Sequence, residues 1–301
     1  MNSLDAEIVR RVLQSQFPEI EAQRIQYLNE GCDSIAFEVD GRLVFRFPKR
    51  AEVERQMAVE RAVLEAIAAA NPPVGIPSIQ YDGQPSSAFK FKFAGYPKIP
   101  GQPAIAAALS LDQLFGLAAP IGRFLSWLHA VPLESVAHID METVDMTSLV
   151  NEMRREALEV LARVAATIGQ GRFEQWGAWI QEWDMPRNGE ESRRVLLHND
   201  IAADHVLVNP TGDVVTGVID WGDAAVGDRA VDLAGVYHLG GQPLMDAVLN
   251  GYDGLVDSGA HRRARFIAAC RGALDLSFGV ERNRPEYIGA GLKALSLNAG
   301  R

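Results

Sequence analysis

The most informative part of this sequence, residues 195–223, reads VLLHNDIAADHVLVNPTGDVVTGVIDWGD. Its apolar start predicts a β-strand that leads into a polar loop with Asp200 and His205. A short strand, a turn at Thr211-Gly212 and a second strand follow, and the second strand ends at Asp220. If these two strands pair, the chain reverses, and we expect Asp220 to return beside the loop that holds Asp200 and His205. The stretch therefore predicts a small hairpin at whose strand ends three polar groups converge.

Two carboxylates and an imidazole in this arrangement suit phosphoryl transfer. The reaction needs a carboxylate that positions and deprotonates the acceptor hydroxyl, and ligands for the magnesium ion that bridges the nucleotide phosphates. Asp200 suits the first role, and Asp220, as an oxygen ligand, suits the second. Because aspartates are also common in turns beside strands, this interpretation depends on the order and spacing of the two residues.

Composition and charge exclude several classes of protein. The 301 residues include 39 acidic and 29 basic side chains, which gives a net charge of −10 and argues against a nucleic-acid-binding protein. No uninterrupted apolar run reaches the roughly 20 residues of a membrane span, and the N-terminus lacks the pattern of a signal peptide. The two cysteines, Cys32 and Cys270, are too few for a disulfide framework and are expected to be free thiols. We therefore expect a cytoplasmic protein, monomeric by default, without a nucleic-acid or membrane partner.

The first third of the chain has the pattern of a small sheet with helices. Asp40-Gly41 between two apolar runs is a strong hairpin signal. The predicted elements are a helix over residues 5–17, strands over 35–39 and 43–47, a helix over 53–70, and strands over 76–81 and 88–93. Two glycines and two prolines within residues 95–101 make that segment the best candidate for a linker.

Beyond this linker the sequence predicts mainly helices, because apolar residues recur with helical spacing. These helices are expected over residues 114–128, 146–168 and 173–183, and from about residue 232 to the end. At about 150 residues per domain, the length allows two domains or one two-lobed unit. We predict an α+β protein with a small antiparallel-sheet lobe over residues 1–94, a hinge over 95–101 and a larger helical lobe over 102–301.

Two motifs resemble those of the aminoglycoside phosphotransferases, which are relatives of the protein kinases. His198-Asn199-Asp200 is similar to their catalytic-loop motif, and Ile219-Asp220-Trp221 is similar to their counterpart of Asp-Phe-Gly. His205 follows Asp200 at the spacing of the second metal-binding side chain of kinases, and a histidine there is similar to the aminoglycoside 2''- and macrolide 2'-phosphotransferases. The resemblance implies a two-lobed protein-kinase-like fold, Asp200 as the catalytic base, and Mg²⁺ held by His205 and Asp220.

The resemblance covers residues from about 27 to 235 and includes the predicted small lobe. Residues 29–39 and 44–49 resemble the nucleotide loop and third strand of the 2''-phosphotransferases, and residues 95–101 resemble their purine-binding hinge. It implies ATP or GTP as the phosphoryl donor, with backbone groups of Pro97 and Ile99 on the purine. The other nucleotide-binding residues that it implies are Ser34, Arg46 and Glu60, with Glu60 paired to Arg46.

Arg46 is a departure from the kinase pattern, which has a lysine at this position. Arginine keeps the positive charge and can bind two phosphate oxygens at once, but it is longer and planar, so the exchange is not conservative. Some macrolide phosphotransferases are similar in this respect.

A second departure is that residues 235–242, GVYHLGGQ, contain no acid. The 2''-phosphotransferases tend to cluster acids there that hold the ammonium groups of aminoglycosides. Because aminoglycosides are polycations, a cleft for them should be lined with carboxylates. The acids that could supply these carboxylates instead are Glu152, Glu156, Glu174, Glu182 and Asp184.

The sequence therefore predicts an O-phosphotransferase that uses a nucleoside triphosphate and acts on a hydroxyl of a small-molecule antibiotic. An aminoglycoside acceptor, and so a resistance enzyme, fits the small lobe and hinge best, whereas a macrolide fits Arg46 and the neutral residues 235–242 better. A kinase of sugars or amino alcohols stays open. The alternative from another class is a catalytically silent nucleotide-binding protein. Converging carboxylates in the cleft would favour an aminoglycoside, and a wide apolar floor would favour a macrolide.

Overall fold

The computed structural model describes residues 4–31, 33–107, 109–185 and 194–300 of the chain. Cys270 is a buried free thiol, as predicted, whereas Cys32 lies outside the described residues. The N-terminal elements are helix α1 (Ala6–Gln16), strands β1 (Ile25–Glu30), β2 (Ser34–Val39) and β3 (Leu43–Pro48), helix α2 (Glu52–Ala68), and strands β4 (Tyr81–Gly83) and β5 (Phe93–Pro97).

The strands of this N-terminal part form one antiparallel sheet in the order β1-β2-β3-β5-β4. The hairpin predicted at Asp40-Gly41 is confirmed, and both residues have positive φ angles, 53° and 72°, which aspartate and glycine tolerate in tight turns.

Helix α1 and one face of the sheet enclose a small aromatic core. Helix α2 places Val63, Leu64 and Ile67 instead in the large core of the C-terminal part, so it joins the two parts.

The strands predicted over residues 76–81 and 88–93 are wrong, since the sheet uses residues further along the chain. Gly95 lies inside β5 and pairs with Phe45 on one side and Tyr81 on the other. A Cβ atom at Gly95 would lie 2.2 Å from the ring of Phe45. The glycine therefore allows an aromatic ring to lie against the strand, whereas composition had indicated a linker.

We expect Gly95→Ala to lower the free energy of unfolding by about 1–3 kcal/mol, because the added methyl group overlaps the buried ring of Phe45. Urea denaturation measures this difference. The matched control is Gly177→Ala in helix α6 (Gln170–Glu182), where a Cβ would meet nothing within 4 Å. This control should stabilise the protein by about 0.5–1 kcal/mol because alanine is the better helix former. Equal effects at both positions would contradict the close approach at Gly95.

The C-terminal part is mainly helical, as predicted. Its first elements are β6 (Gln102–Pro103), α3 (Leu111–Gly116), α4 (Ala118–His129), a 3-10 turn (Leu133–Ser135), β7 (Glu142–Thr143), α5 (Met146–Ile168) and α6. They are followed by β8 (Arg194–Leu197), β9 (Val206–Val208), β10 (Val215–Val218), β11 (Ala225–Asp228), α7 (Ala230–Leu249), α8 (Ser258–Arg282) and α9 (Pro285–Asn298). Of the helices within the described ranges, none is long and apolar enough to cross a membrane.

The hairpin predicted within residues 195–223 is confirmed. Strands β9 and β10 pair in antiparallel fashion, with Val206 opposite Val218. The pairing continues past the strand end, where the backbone N–H of Ile219 donates to the carbonyl oxygen of His205 at 2.9 Å. Strand β8 pairs instead with β11, which the sequence analysis did not predict. The loop between β8 and β9 therefore lies beside the segment that follows β10.

Candidate active site

The loop between β8 and β9 is held by a buried carboxylate on helix α7. Asp232 accepts hydrogen bonds from the backbone N–H groups of His198 at 3.0 Å and Asn199 at 2.8 Å. His129 Nε2 lies 3.1 Å from the same carboxylate, and Arg271 of α8 donates to the carbonyl oxygen of Asn199 at 2.8 Å. Asn199 itself has a φ of 68°. The backbone that carries Asp200 is thus fixed from two helices.

We expect Asp232→Asn to lower the free energy of unfolding by about 3 kcal/mol, because an amide would face N–H donors that now bind a buried carboxylate. Burial alone would raise the pKa of Asp232, but hydrogen bonding and the charge of His129 outweigh it, so the pKa is lowered. The stabilisation is therefore present above the unfolded-state pKa of about 3.9 and is lost as the pH falls through the lower folded-state value.

Urea denaturation between pH 7 and pH 3 measures this effect. The matched control is Asp246→Asn, an exposed residue on the same helix, which should change the free energy of unfolding by less than about 0.5 kcal/mol. A difference between the parent and Asp232→Asn that grows as the pH falls would contradict the assignment.

His198 ties the loop to the segment after β10. Its ring is fully buried, Nε2 lies 3.0 Å from the carbonyl oxygen of Ile219, and Nδ1 accepts from the N–H of Asp200 at 3.3 Å. Burial lowers the pKa of His198, which favours the neutral ring. Because Nδ1 accepts from an N–H and Nε2 faces a carbonyl oxygen, the contacts fit the tautomer with the proton on Nε2. The indole of Trp221 packs edge-on against it, with ring centroids 4.7 Å apart. His198 is a structural residue of the loop.

The three predicted polar groups lie at the open end of the β9–β10 hairpin, opposite its turn. His205 Nδ1 lies 2.8 Å from the carbonyl oxygen of Asp200 and 3.3 Å from its Oδ2 atom. His205 Nε2 faces Oδ2 of Asp220 at 3.7 Å and Oδ2 of Asp204 at 3.8 Å. Burial would lower the pKa of His205, but the charges of Asp204, Asp200 and Asp220 raise it to about 9. The Asp200 and Asp220 side chains are 37% and 44% exposed, so both carboxylates are open to a ligand.

Arg46 connects the N-terminal sheet to this cluster. Its Nη1 atom donates to both carboxylate oxygens of Glu60, at 2.7 and 2.9 Å, and its Nη2 atom donates to Oδ1 of Asp220 at 2.9 Å. Glu60 also accepts from the backbone N–H of Trp221 at 3.3 Å. Burial raises the pKa of Glu60, and the guanidinium of Arg46 opposes this shift. The planar fork of arginine binds two acids on different elements at once, a geometry that the ammonium group of lysine lacks.

The other predicted nucleotide residues lie in the sheet or follow it. Ser34 is the first residue of β2, and its carbonyl oxygen accepts from Gly31 N at 3.0 Å. Pro97 ends β5 opposite Leu43. Ile99 lies so close to β10 that a Cβ at Gly217 would meet its Cγ2 atom at 2.7 Å. These three residues make none of the contacts described for the cluster, and their binding of a nucleotide stays a prediction.

A pocket of about 290 Å³ lies beside the loop of Asp200, on the side of the helical part. Its polar lining comes from Asp200, Asp204, His205, His238, Arg271, Asp275 and Tyr287. Its apolar lining includes Ile105, Met153, Leu274 and Ala290. The five acids that the sequence suggested for binding a cationic acceptor are not among the described residues that line this pocket.

The pocket residues on the last three helices were not among the predicted site residues. His238 is on α7, Arg271 and Asp275 are on α8, and Tyr287 is on α9. Tyr287 donates to Oδ2 of Asp204 at 3.1 Å, which joins α9 to the loop. These residues belong to no motif, so only the packing of the helices reveals them. The four-residue spacing of Arg271 and Asp275 indicates that they share one face of a helix, but it does not indicate what that face contacts.

Comparisons with known proteins give the family of this chain. The family model described as APH, phosphotransferase enzyme family, matches residues 24–267. "Uncharacterized protein YcbJ" of Bacillus subtilis (strain 168) is 23% identical over 222 residues, which cover 70% of this chain and 67% of that protein.

Solved structures with the same fold include antibiotic phosphotransferases. The GDP complex of wild-type aminoglycoside 2'-phosphotransferase-IIIa is 23% identical, with a TM-score of 0.75 over 98% of this chain and 99% of that chain. The streptomycin-ATP-APH(2")-IIa ternary complex is 21% identical, with a TM-score of 0.63 over 99% and 98%. The apoenzyme of macrolide 2'-phosphotransferase MphH from Brachybacterium faecium is 22% identical, with a TM-score of 0.63 over 96% and 98%.

These likenesses establish the two-lobed, kinase-like fold, with an antiparallel sheet in the N-terminal part and mainly helices in the C-terminal part. The family model spans well over half of the 301 residues, and it includes both motifs of residues 195–223. This chain is therefore a phosphotransferase and belongs to the APH phosphotransferase enzyme family.

Proposed function

We propose that this phosphotransferase transfers the γ-phosphoryl group of ATP or GTP to a hydroxyl of a small cationic molecule of the aminoglycoside kind. The observation that carries the proposal is the cluster around His205, which lies 3.3 Å from Oδ2 of Asp200 and 3.7 Å from Oδ2 of Asp220, while Arg46 donates a hydrogen bond to Asp220. Similar proteins with bound GDP and ATP support a nucleoside triphosphate as donor.

In this proposal Asp200 is the catalytic base. Its partly exposed carboxylate accepts the proton of the acceptor hydroxyl and holds that oxygen in line with the γ-phosphorus. A bond forms between the acceptor oxygen and phosphorus, the bond from phosphorus to the β-phosphate oxygen breaks, and the nucleoside diphosphate leaves. His205 contacts Oδ2 of Asp200 at 3.3 Å and so orients the carboxylate. Positioning and charge dominate the rate because the transition state is loose.

The donor atoms present fit Mg²⁺. Asp220 supplies the carboxylate oxygen, since Mg²⁺ is usually held by one or two carboxylates together with substrate phosphates. Its Oδ2 atom faces Nε2 of His205 at 3.7 Å, so the imidazole would be a second, less usual ligand. The described residues contain no cluster of three or more ligands for a metal held by protein alone. We propose that Asp220 and His205 hold the ion, which when bound would neutralise charge on the phosphates. His205 would first lose the proton that its neighbouring carboxylates favour.

The N-terminal sheet supplies the rest of the proposed nucleotide site. Arg46, held by Glu60, would neutralise phosphate charge, and the backbone of Pro97 and Ile99 would bind the purine. Ser34, at the start of β2, would lie next to the phosphates. Residues 95–101 would form the hinge between the two lobes.

The lining of the pocket favours a polycationic acceptor over a macrolide, which carries a single amino group. Asp200, Asp204 and Asp275 all contribute carboxylates to it, and carboxylates attract ammonium groups. The similar structures contain kanamycin in one case and streptomycin in another. The second candidate is a macrolide acceptor, which the acid-free residues 235–242 and the apolar side chains of Ile105 and Met153 favour. We also propose that the protein is a cytoplasmic monomer and that it confers resistance to its antibiotic acceptor.

A nucleotide-consumption screen tests the proposed function. ATP and GTP are each offered with aminoglycosides and with macrolides, and Asp200→Asn serves as the blank. We expect consumption that depends on an aminoglycoside and is lost in the blank. Consumption with macrolides alone would favour the second candidate. Nucleotide binding without turnover for any acceptor would favour the catalytically silent protein instead.

A further inference from the structure

Arg46 makes one contact that the proposed mechanism does not use, its hydrogen bond to Asp220 across the two parts of the chain. Its Nη2 atom donates to Oδ1 of Asp220 at 2.9 Å, and Asp220 is one of the two groups proposed to hold Mg²⁺. A carboxylate proposed as a metal ligand is thus already bound to a cation of the protein. Because a guanidinium stays charged at any physiological pH, Arg46 competes with every other cation for this carboxylate.

We propose that Arg46 makes metal binding by Asp220 depend on the nucleotide, so that the ion binds together with the phosphates and only weakly to the protein alone. The phosphates would draw Nη2 of Arg46 away from Asp220 and would supply further oxygen ligands to the ion. This inference rests on the proposed function, because it takes Asp220 as a metal ligand. It goes further by giving Arg46 a second role, which is to couple the binding of metal to the binding of nucleotide.

The guanidinium of Arg46 is fixed beside Asp220. Its side chain is 13% exposed, and its Nη1 atom donates to both oxygens of Glu60, at 2.7 and 2.9 Å. Glu60 is 4% exposed and also accepts from the backbone N–H of Trp221, the residue after Asp220, at 3.3 Å. Withdrawal of Arg46 would leave the buried carboxylate of Glu60 unpaired, which is strongly unfavourable. The positive charge therefore stays near Asp220.

The shape of the guanidinium allows one of its two contacts to change while the other is kept. Nη1 can stay on Glu60 while Nη2 exchanges Oδ1 of Asp220 for a phosphate oxygen, since the two nitrogens belong to one planar fork. The ammonium group of a lysine is a single point charge without separate nitrogens for two partners. The departure from the kinase lysine thus has a physical consequence at the metal site.

The donor set also favours an ion that arrives with phosphates. The described residues contain no group of three or more ligands for a metal, and Oδ2 of Asp220 has only His205 Nε2 facing it, at 3.7 Å, as a second proposed ligand. Mg²⁺ usually binds through one or two carboxylates together with substrate phosphates. One carboxylate whose charge is offset by Arg46 should therefore attract a divalent ion only weakly.

Binding of Mn²⁺ in the absence of nucleotide tests the inference, since carboxylate sites for Mg²⁺ also suit Mn²⁺ and its electron paramagnetic resonance signal reports the free ion. The variant is Arg46→Met combined with Glu60→Gln. Parent and double variant carry the same net charge at these positions, because one positive and one negative group are removed together. We expect the double variant to bind Mn²⁺ about 10- to 100-fold more tightly, which is the contribution of one charge-assisted hydrogen bond.

Two controls show that the gain in affinity belongs to Asp220. Arg61→Met removes an arginine next to Glu60 in the chain, but one that pairs with Glu65 and Asp82. It should change Mn²⁺ affinity by less than about twofold, because Arg61 does not contact Asp220. Asp220→Asn, added to the double variant, should abolish the gain. If Arg61→Met had the effect of the double variant, the coupling would not come from the contact of Arg46 with Asp220, and the inference would be overturned.

The parent protein provides a second measurement, which needs no variant and stays informative if the double variant does not fold. GDP should raise the affinity of the parent for Mn²⁺, after correction for the Mn²⁺ that GDP binds without protein. Equal affinities with and without GDP, or no gain of affinity in the double variant, would overturn the inference and leave the proposed phosphoryl transfer intact. If the screen shows no transfer but Mn²⁺ binding depends on Arg46 as expected, the proposed function fails and the inference stands.

Discussion

Asp200→Asn is expected to lower kcat by about 10²- to 10⁴-fold, the usual contribution of a general base. The amide cannot take the proton of the acceptor hydroxyl, yet it has nearly the size of the carboxylate. Because the backbone of this loop is held through Asp232 and Arg271, the substitution should leave the loop in place. The contacts of Arg46 with Glu60 and Asp220 do not involve Asp200, so affinity for GDP should change less than about twofold, well under 1.4 kcal/mol.

Steady-state kinetics with the best acceptor from the screen, together with calorimetric binding of GDP, measures both parts of this result. The matched control is Asp213→Asn, an exposed aspartate in the turn of the same hairpin, which should keep kcat within about twofold of the parent value. Turnover of Asp200→Asn at the parent rate would show that the base is another group. A loss of GDP affinity equal to the loss of kcat would show instead that the loop had moved.

The second large effect is expected for Arg46→Met, which should lower the free energy of unfolding by about 3–5 kcal/mol and abolish measurable turnover. The Glu60 side chain is 4% exposed, and without the guanidinium it is an unpaired buried carboxylate. Asp220 loses its partner as well, but it is 44% exposed and water can solvate it. Most of the loss in stability should therefore come from Glu60.

The pH dependence of Arg46→Met follows from the pKa of Glu60. Burial raises the pKa of this carboxyl, and removal of Arg46 removes the charge that opposes the shift. A carboxyl with a raised folded-state pKa favours the folded state below its unfolded-state pKa, about 4.3, and this contribution is lost as the pH rises through the folded-state value. The loss of stability of the variant relative to the parent should therefore be smaller at pH 5 than at pH 8.

Urea denaturation at several pH values checks this expectation, with two further variants as controls. Arg46→Met combined with Glu60→Gln should recover part of the stability, because no buried charge remains, while activity stays lost. Arg46→Lys should keep a charge near Glu60 but cannot bind both acids through one planar fork, so it should lie between the parent and Arg46→Met. If Arg46→Met were as stable as the parent at every pH, Glu60 would not depend on this ion pair.

Much of the candidate site could be predicted because its residues lie within one short stretch of chain. Asp200, His205 and Asp220 are brought together by a hairpin, and hairpins are set by apolar alternation and turn residues that are visible in the sequence. The turn at Asp40-Gly41 and the helix over residues 146–168 were predictable for the same reason. The pairing of Glu60 with Arg46 needed the resemblance to kinases as well, since no local pattern links a helix to a distant strand.

The sequence-based predictions were wrong where a local sequence pattern results from contacts with residues distant in the chain. The strands placed over residues 76–81 and 88–93 followed apolar runs, whereas the sheet selected β4 and β5 by their fit beside β3. Gly95 looked like part of a linker, but it is needed because the ring of Phe45 lies over the strand. An apolar run shows that residues can be buried, and only their neighbours decide which of them pair.

Local pattern was thus enough for the class of fold, the order of most elements and the groups proposed for chemistry, since each depends on residues near one another in the chain. The pocket beside Asp200, by contrast, was decided by tertiary structure alone. His238, Asp275 and Tyr287 come from three helices, and helical periodicity indicates which face is apolar but not which polar residue of one helix meets that of another. The lining of the pocket that we propose for the acceptor therefore depends on how α7, α8 and α9 pack against the loop of Asp200.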